Sequence, residues 1–246
     1  MSLRFLATIT SFFCISFGYS TLIVGTTGDY APFSSYNKQT KRFEGKDIDL
    51  IKEFAKASDE HIAFIKTTWK TASNDLKNHK FDVFVGGMTI TPERKKDFIF
   101  SAQQSSFHKA AMTQCKSLSK YKSFEDIDNP QILVIENRGG TNESIALEKL
   151  KNAKLLITND NQQAIKSLTN GIDNIHPDIM FTDTAEIAYQ HSINPKLCEI
   201  PVNFDKNISY KAFMFNNGKS GNELKDAFNA WYKTKLTLSD QYQNTF

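Results

Sequence analysis

Two carboxylates three residues apart follow an apolar run in the second half of the chain. Asp183 and Glu186 belong to the stretch TDTAEIA, residues 182–188, directly after the residues IMF. Such a pair can cap a helix, because an acidic residue followed three positions later by glutamate satisfies two backbone N–H groups that lack helical partners. It can also do chemistry, because neighbouring carboxylates raise each other's pKa. The stretch alone leaves both interpretations open.

The segment GGMTITPER, residues 86–94, is a candidate site for an anion. Its glycines let the backbone approach a ligand, and Thr89 and Thr91 offer hydroxyl groups. Arg94 offers a planar guanidinium that suits a carboxylate. An ordinary surface ion pair is the alternative for Arg94.

The segment NRGGTNES, residues 137–144, joins a glycine turn to a predicted helix start. Free backbone N–H groups and the positive end of the helix would face an anion there. The segment is not a phosphate-binding P-loop, because the GxxxxGK[ST] spacing is missing. The alternative is a tight turn in which Thr141 caps the helix.

Composition and the remaining motifs exclude several classes of protein. The net charge of +3 is small and the lysines are scattered among acidic residues, which argues against a nucleic-acid surface. None of the five histidines belongs to an HExxH motif or has metal-ligand spacing to the cysteines. The chain also lacks the GxSxG elbow of serine hydrolases.

Predicted strands and helices alternate over two stretches that position these segments. The first stretch runs from TLIVGTT to FDVFVGG, and the second from QILVIE to PDIMFT. Alternation predicts parallel βαβ units, and the restart predicts two α/β lobes, the first completed by the C-terminal segment. SYKAFMF reads as one further strand before a closing helix.

Four polar segments follow predicted strands, and ligands of such folds bind at the carboxyl ends of the strands. The fourth segment is TTGDYAPF, residues 26–33, which contains Asp29 and Tyr30. Trp69 ends another predicted strand, where its indole N–H favours a polar neighbourhood. We expect all of them to line one cleft.

The first twenty residues have a basic start, an apolar run and a small residue at the end, which is typical of a secretory signal peptide. Removal of residues 1–20 would leave two cysteines, Cys115 and Cys198, in an oxidising compartment. A bridge between them would close a loop of about 80 residues and contribute on the order of 4 kcal/mol, less any strain. Two separate buried thiols are the alternative.

The chain resembles the periplasmic amino-acid-binding proteins over almost all of its predicted mature part. The segments that carry this resemblance are VGTTGDYAPFS, EGKDIDL, FDVFVGGMTITPER and NELKDAFNAW. Within this fold the sequence is similar to the cyclohexadienyl dehydratases, in TTGDYAPFS, TTW, RGGTNE, the Asp160–Asn161 pair, TDTAE and NPKLCEIP.

The resemblance implies an α/β, two-lobed fold of the type II periplasmic-binding-protein kind, with the ligand cleft between the lobes. We therefore predict a signal peptide over 1–20, lobe 1 over 21–110 and 211–246, and lobe 2 over 111–210. The implied reaction is the decarboxylating dehydration of prephenate to phenylpyruvate and of arogenate to phenylalanine. It requires no metal or organic cofactor.

The implied protein is periplasmic and acts on a small molecule. It contacts no nucleic acid and, after signal removal, no membrane. The resemblance decides neither for nor against a homo-oligomer. The resemblance makes Glu186 the general acid and also supports a bridge between Cys115 and Cys198. The other implied site residues are Asn137 and Asn142 as catalytic residues, and Asp29, Tyr30, Trp69, Thr89, Arg94, Lys109, Gly140, Thr141 and Asp183 as substrate-binding residues.

A general acid must be protonated, and an ordinary glutamate with a pKa of about 4.3 is protonated only about once in 500 molecules at pH 7. Burial in a closed cleft and the nearby Asp183 would raise the pKa of Glu186. We expect Asp183 to cap the helix as well, while the Glu186 carboxyl points into the cleft rather than back to the helix start.

The main alternative is a transport receptor in which Arg94 binds the α-carboxylate of an amino acid and Asp183 its α-amine. That interpretation gives Glu186 no clear functional role. A secreted ligand sensor without turnover is the third interpretation.

Overall fold

The computed structural model describes residues 21–243, and side chains as far as residue 238. The predicted signal peptide, residues 1–20, lies outside the described residues. Among residues 21–243, no helix has both the length and the apolar composition that crossing a membrane requires.

The first lobe is built on a five-stranded sheet in the order β5-β1-β6-β15-β7. Its strands are β1 (Thr21–Thr26), β5 (His61–Lys66), β6 (Val83–Phe84), β7 (Phe98–Phe100) and β15 (Met214–Asn216). β1 pairs in parallel with β5 and β6, as the alternation predicts, whereas β15 pairs antiparallel with β6 and β7. The last part of the chain therefore completes the first sheet.

Three helices belong to this lobe: α1 (Lys46–Ala57), α2 (Ala72–Lys77) and α7 (Lys219–Gln243). Ile48, Ile51, Phe54 and Ala55 of α1 are buried at helical spacing. This stripe packs on the apolar side chains of the sheet and on Phe228 of α7, so the helices cover the sheet as their amphipathic pattern requires.

The second lobe is built on a five-stranded sheet in the order β11-β10-β12-β9-β13. Its strands are β9 (Lys109–Gln114), β10 (Leu133–Asn137), β11 (Lys154–Thr158), β12 (Ile179–Asp183) and β13 (Leu197–Ile200). Its helices are α3 (Phe124–Ile127), α4 (Thr141–Lys149), α5 (Asn161–Asn170) and α6 (Thr184–Ile193). β9 runs antiparallel to β12, and their register pairs Lys109 with Asp183.

The chain passes between the lobes along two short strands that pair antiparallel, β8 (Ser105–Phe107) and β14 (Ser209–Lys211). The predicted single strand SYKAFMF is thus divided, because its first half pairs with the crossover and its second half forms β15. Lys109 and Ala110, which we assigned to lobe 1, belong by pairing to the second sheet. The exact bounds of the lobes remain a proposal.

A small antiparallel sheet that the sequence did not predict lies beside the cleft. It consists of β2 (Asp29–Tyr30), β3 (Ser34–Asn37) and β4 (Arg42–Glu44). Two 3₁₀ helices, Arg94–Lys96 and Cys115–Lys120, complete the described elements.

The predicted disulfide between Cys115 and Cys198 is present. It joins the start of a 3₁₀ helix to β13 at a sequence separation of 83 residues, and therefore cross-links two elements within the second lobe. A nitrogen of His191 lies within 4.8 Å of both sulfur atoms, a proximity that the sequence spacing did not predict.

Candidate functional site

One cavity between the lobes receives residues from all four predicted segments. Its lining is Tyr30, Trp69, Gly87, Thr89, Arg94, Asn137, Gly140, Thr141, Asn142, Asn161, Asp183 and Lys211. Nine of the residues proposed from the sequence are in this lining. The other three, Asp29, Lys109 and Glu186, each form a hydrogen bond or ion pair with a lining residue.

Asp183 is fully buried between two lysines. Its Oδ1 lies 2.7 Å from the Nζ of Lys109, and its Oδ2 lies 2.6 Å from the Nζ of Lys211. The Tyr30 hydroxyl also donates to Oδ2. Burial alone would raise the pKa of Asp183, but the two lysines outweigh it and lower that pKa to about 2. Asp183 is therefore a carboxylate at neutral pH.

The expectation that Asp183 caps a helix is wrong. It holds the N-cap position of α6, but its side chain forms no capping hydrogen bond, because both oxygens face the lysines instead. Glu186 does not complete a capping box either. The ion pairs with Lys109 of the same sheet and Lys211 of the crossover strand prevail over the local pattern.

The Glu186 carboxyl is also fully buried, and it does not line the cavity, so the expectation that it points into the cleft is wrong. Asn161 donates from Nδ2 to its Oε1 at 2.7 Å, and the Thr182 hydroxyl donates to its Oε2. Burial raises the pKa of Glu186, the nearby Asp183 and Asp29 add to this, and the two hydrogen bonds oppose it. The resulting pKa is about 8, so this carboxyl is mostly protonated at pH 7.

Lys211 is a site residue that the sequence analysis missed. It ends β14, and its ammonium contacts the Thr89 hydroxyl at 2.9 Å in addition to Asp183. The ring of Phe107 lies beneath it, 4.2 Å from Nζ to the centroid. Burial lowers the pKa of Lys211 to about 8 against the attraction of Asp183. A lysine within an apolar strand pattern is ordinarily interpreted as exposed, and nothing local signals its burial.

Asn161 joins the lobes and was noted in the sequence only as half of the Asp160–Asn161 pair. Its backbone N–H donates to Asp29 Oδ2 at 3.1 Å, and its Nδ2 lies 3.2 Å from the Asp29 carbonyl. Asp29 also accepts from the Trp69 indole at 3.0 Å. Asp29 therefore orients Trp69 and holds α5 of the opposite lobe.

The glycine turn leads into α4 with Gly140 at the N-cap, so the alternative in which Thr141 caps the helix is wrong. Thr141 is the first helical residue, and its hydroxyl accepts from Lys109 at 2.9 Å. Asn142 Oδ1 accepts from the same ammonium at 2.5 Å. Asn137 is buried at the end of β10 and lines the cavity. The first N–H groups of the helix have no intrahelical partner and lie at the cavity wall.

Arg94 lies at the opposite side of the cavity, and its Nη1 donates to the carbonyl of Thr89 at 2.8 Å. Burial lowers its pKa to about 10, which leaves it charged at neutral pH. Among the described side chains, residues 21–238, no carboxylate forms an ion pair with it, so the surface ion pair considered above is wrong. Its guanidinium is available to a ligand carboxylate.

A further buried carboxyl, that of Glu136, forms none of these hydrogen bonds or ion pairs. Its Oε1 accepts from the backbone N–H of Phe181 at 2.6 Å, and its Oε2 has no partner among the described residues. Burial raises the pKa of Glu136 well above its ordinary value, and its carboxyl belongs to the core of the second lobe.

Gly139 is where the glycine turn meets the first lobe. A Cβ added there would lie 2.4 Å from both Cα and N of Lys70, which are backbone atoms, and its φ is +88°. We expect Gly139→Ala to hinder closure of the lobes and to weaken ligand binding in the cavity about tenfold, because only molecules that can close bind tightly. Calorimetry measures the dissociation constant, and X-ray scattering measures the radius of gyration with and without ligand.

Gly218→Ala is the matched control, because a Cβ at Gly218 meets nothing within 4 Å. This variant should bind and compact as the parent does. Equal behaviour of the two variants would show that the close approach at Gly139 has no part in closure.

Known proteins resemble this chain to different degrees. A cyclohexadienyl dehydratase of Pseudomonas aeruginosa is 31% identical over 193 residues, which are 78% of this chain and 70% of that protein. An arginine-binding protein of an Escherichia coli ABC transporter is 30% identical over 70% of this chain and 67% of its own.

Among solved structures, an ancestral amino-acid-binding protein described as a precursor of cyclohexadienyl dehydratase matches with a TM-score of 0.79 and 33% identity. The match covers 89% of this chain and 90% of that one. The predicted two-lobed α/β fold is thereby confirmed. A family model described as bacterial extracellular solute-binding proteins, family 3, matches residues 22–243, and the chain belongs to this family.

Proposed function

We propose that the protein is an exported cyclohexadienyl dehydratase that removes water and carbon dioxide from prephenate and from arogenate, with Glu186 as the general acid. The observation that carries this proposal is the buried carboxyl of Glu186, whose pKa of about 8 keeps it protonated at neutral pH. Binding alone does not require a protonated carboxyl beside the cavity. An acid that must give up a proton requires it.

The reaction needs one proton and no cofactor. Glu186 gives its proton to the ring hydroxyl, the carbon–oxygen bond breaks and water leaves. The electron pair of the bond between the ring and its carboxylate moves into the ring as carbon dioxide departs, and the ring becomes aromatic. Aromaticity favours the product, so the acid's task is to turn a poor leaving group into water.

The other charges suit a substrate with two carboxylates. Arg94 would bind one carboxylate, while Lys109 and the start of α4 at Thr141 would bind the other. Trp69, oriented by Asp29 at 3.0 Å, would form a wall for the ring. Asn161 lines the cavity and contacts Glu186 at 2.7 Å, so the acid is one hydrogen bond from the cavity wall.

The similarity to the dehydratase of P. aeruginosa, at 31% identity, supports the proposal. Membership of a family described as extracellular supports export, and periplasmic localisation is part of the proposal.

An amino-acid receptor of an ABC importer is the second candidate. It is favoured by the arginine-binding relative at 30% identity and by the guanidinium of Arg94, which bonds to the carbonyl of Thr89 but to no carboxylate among the described side chains. Prephenate incubated with the purified protein discriminates the two, because phenylpyruvate absorbs in alkaline solution. Formation of phenylpyruvate supports the enzyme. Prephenate that stays unchanged at micromolar protein concentration would reject the enzyme and favour the receptor.

The pH dependence of the rate follows from the state of Glu186. The acid form is required, so kcat/KM should fall about tenfold per pH unit above pH 8, the pKa of the carboxyl. Lys211 loses its positive charge over the same range, with a pKa of about 8, and steepens the fall. Initial rates between pH 6 and 10, with circular dichroism at each pH, measure this. A rate that stays level to pH 9.5 would contradict it.

A further inference from the structure

The side-chain amide of Asn161 is held in one orientation by contacts to both lobes. Asn161 begins α5 of the second lobe and is 1% exposed. Its Nδ2 donates to Glu186 Oε1 at 2.7 Å and to the backbone carbonyl of Asp29, in the first lobe, at 3.2 Å. A backbone carbonyl can only accept a hydrogen bond, so the atom that faces it is the amide nitrogen. The place of the amide oxygen is thereby fixed as well.

The oxygen of the same amide lacks a donor. Asn161 Oδ1 is buried and has no hydrogen-bond partner among the described residues, although Asn161 lines the cavity. Asp183 Oδ1, which is also without a hydrogen bond, lies 2.7 Å from the Lys109 ammonium and is thus in an ion pair. A buried acceptor without a donor costs free energy, and native proteins retain few of them. The donor for Asn161 Oδ1 can be supplied by a ligand in the cavity.

An amide oxygen accepts hydrogen bonds, so the chemistry of the substrate decides which of its groups can meet it. The two carboxylates and the keto group of prephenate only accept. Its single donor at neutral pH is the ring hydroxyl, which is the group that leaves in the proposed reaction. Arogenate has the same hydroxyl, and its amino group is attached beside a carboxylate at the other end of the molecule. The ring hydroxyl is therefore the donor that both substrates share.

The neighbour of Asn161 is the proposed acid. Because Nδ2 contacts Glu186, a hydroxyl bound to Oδ1 would lie at the wall in front of that carboxyl. The hydroxyl would donate its own hydrogen to Asn161, and this hydrogen stays on the oxygen when water leaves. The lone pairs of the oxygen remain for the proton of Glu186. The carboxylate that results keeps the hydrogen bonds from Asn161 and from the Thr182 hydroxyl.

We propose that Asn161 Oδ1 accepts a hydrogen bond from the ring hydroxyl of the substrate, so that Asn161 places the leaving group beside Glu186. This inference rests on the proposed function and adds a substrate-binding residue to it. One amide then contacts the leaving group through its oxygen and the acid through its nitrogen.

The test compares two ligands that differ by one hydroxyl. 4-Hydroxyphenylpyruvate carries this group on the ring carbon that corresponds to the hydroxyl-bearing carbon of prephenate, and phenylpyruvate lacks it. Neither has a ring carboxylate to lose, so both can be measured with the unmodified mature chain. Calorimetry at pH 7 should give a dissociation constant for the hydroxylated ligand about tenfold below that for phenylpyruvate.

Variants of Asn161 show whether this preference arises at the amide. Asn161→Leu removes the acceptor and should bring the ratio of the two constants to about one. Asn161→Asp keeps an oxygen acceptor and should preserve the preference, because both ligands carry the same charge and the added carboxylate affects them alike. Asn170→Leu is the matched control. Asn170 is an exposed asparagine at the other end of α5, and its replacement should leave the ratio unchanged.

Three results would overturn the proposal. They are equal affinities in the unmodified chain, a preference that Asn161→Leu leaves in place, and the absence of binding of both ligands at millimolar concentration. Asn161→Ala takes the place of Asn161→Leu if the latter fails to fold, because alanine also removes the acceptor.

Failure of the proposed function is recognised by a separate measurement, which is unchanged prephenate after incubation with the unmodified chain. A preference for 4-hydroxyphenylpyruvate that Asn161→Leu abolishes, in a protein without turnover, would uphold the hydroxyl acceptor and reject the dehydratase. Turnover of prephenate together with equal affinities for the two ligands would uphold the dehydratase and reject the role of Asn161.

Discussion

Glu186→Gln should lower kcat for prephenate by about 10² to 10⁴-fold, the usual contribution of a positioned general acid. Glutamine keeps the volume of the side chain and an oxygen that can accept from Asn161, so the fold and the affinity for prephenate should stay near those of the parent. What is lost is the proton that the buried carboxyl carries at pH 7. Steady-state kinetics and calorimetry separate the loss in kcat from any change in binding.

Glu136→Gln is the matched control for this variant. Glu136 is also a fully buried carboxyl with a raised pKa, but its hydrogen bond is to the backbone of Phe181 in the core of the second lobe. The kcat of the Glu136→Gln variant should remain within a few-fold of that of the parent. A Glu186→Gln variant with turnover as high as that of this control would reject the assignment of the acid.

Asp183→Asn should lower the free energy of unfolding by about 3–5 kcal/mol, the usual cost of removing one partner of a buried ion pair. The substitution leaves Lys109 and Lys211, 4% and 2% exposed, without their carboxylate. Lys109 would keep Thr141 and Asn142, whereas Lys211 would keep only one hydroxyl contact at Thr89 and a longer one to Tyr30. Urea unfolding at pH 7 measures the loss.

Asp49→Asn provides the comparison for a surface pair. Asp49 lies 3.8 Å from Lys52, and its side chain is 69% exposed, so its removal should change stability by no more than about 0.5 kcal/mol. A loss below about 1 kcal/mol for Asp183→Asn would mean that the two lysines find other partners or lose their protons at little cost.

The convergence of the four polar segments was predictable from the sequence. Each follows an apolar strand, and the carboxyl ends of strands in such folds face one cleft, so segment position alone placed Tyr30, Thr89, Asn137 and Asp183 together. The predicted burial of Glu186 was also correct, although its reason came from the resemblance and not from the local pattern.

The errors share a physical cause, which is tertiary contact outweighing local preference. Asp183 and Thr141 fit capping patterns, yet each faces a lysine that arrives from elsewhere in the chain. The burial of Lys211 was not predicted because SYKAFMF reads as one continuous strand. In the structure the crossover strand β14 ends at this lysine, and its side chain is buried. The small sheet β2–β4 was missed because its strands are short and polar.

The pairing of Lys109 with Asp183 on neighbouring strands has a consequence for how the chain tolerates changes in length. Successive side chains of a strand point to opposite faces, so one residue inserted within β9 would turn Lys109 away from the carboxylate. An added residue among residues 101–104, which precede β8 and belong to no strand, would leave the register of β9 unchanged. The positive charge at Asp183 therefore depends on strand register. A deletion or insertion in β9 would remove the Lys109 ammonium from the site, as a substitution of Lys109 would.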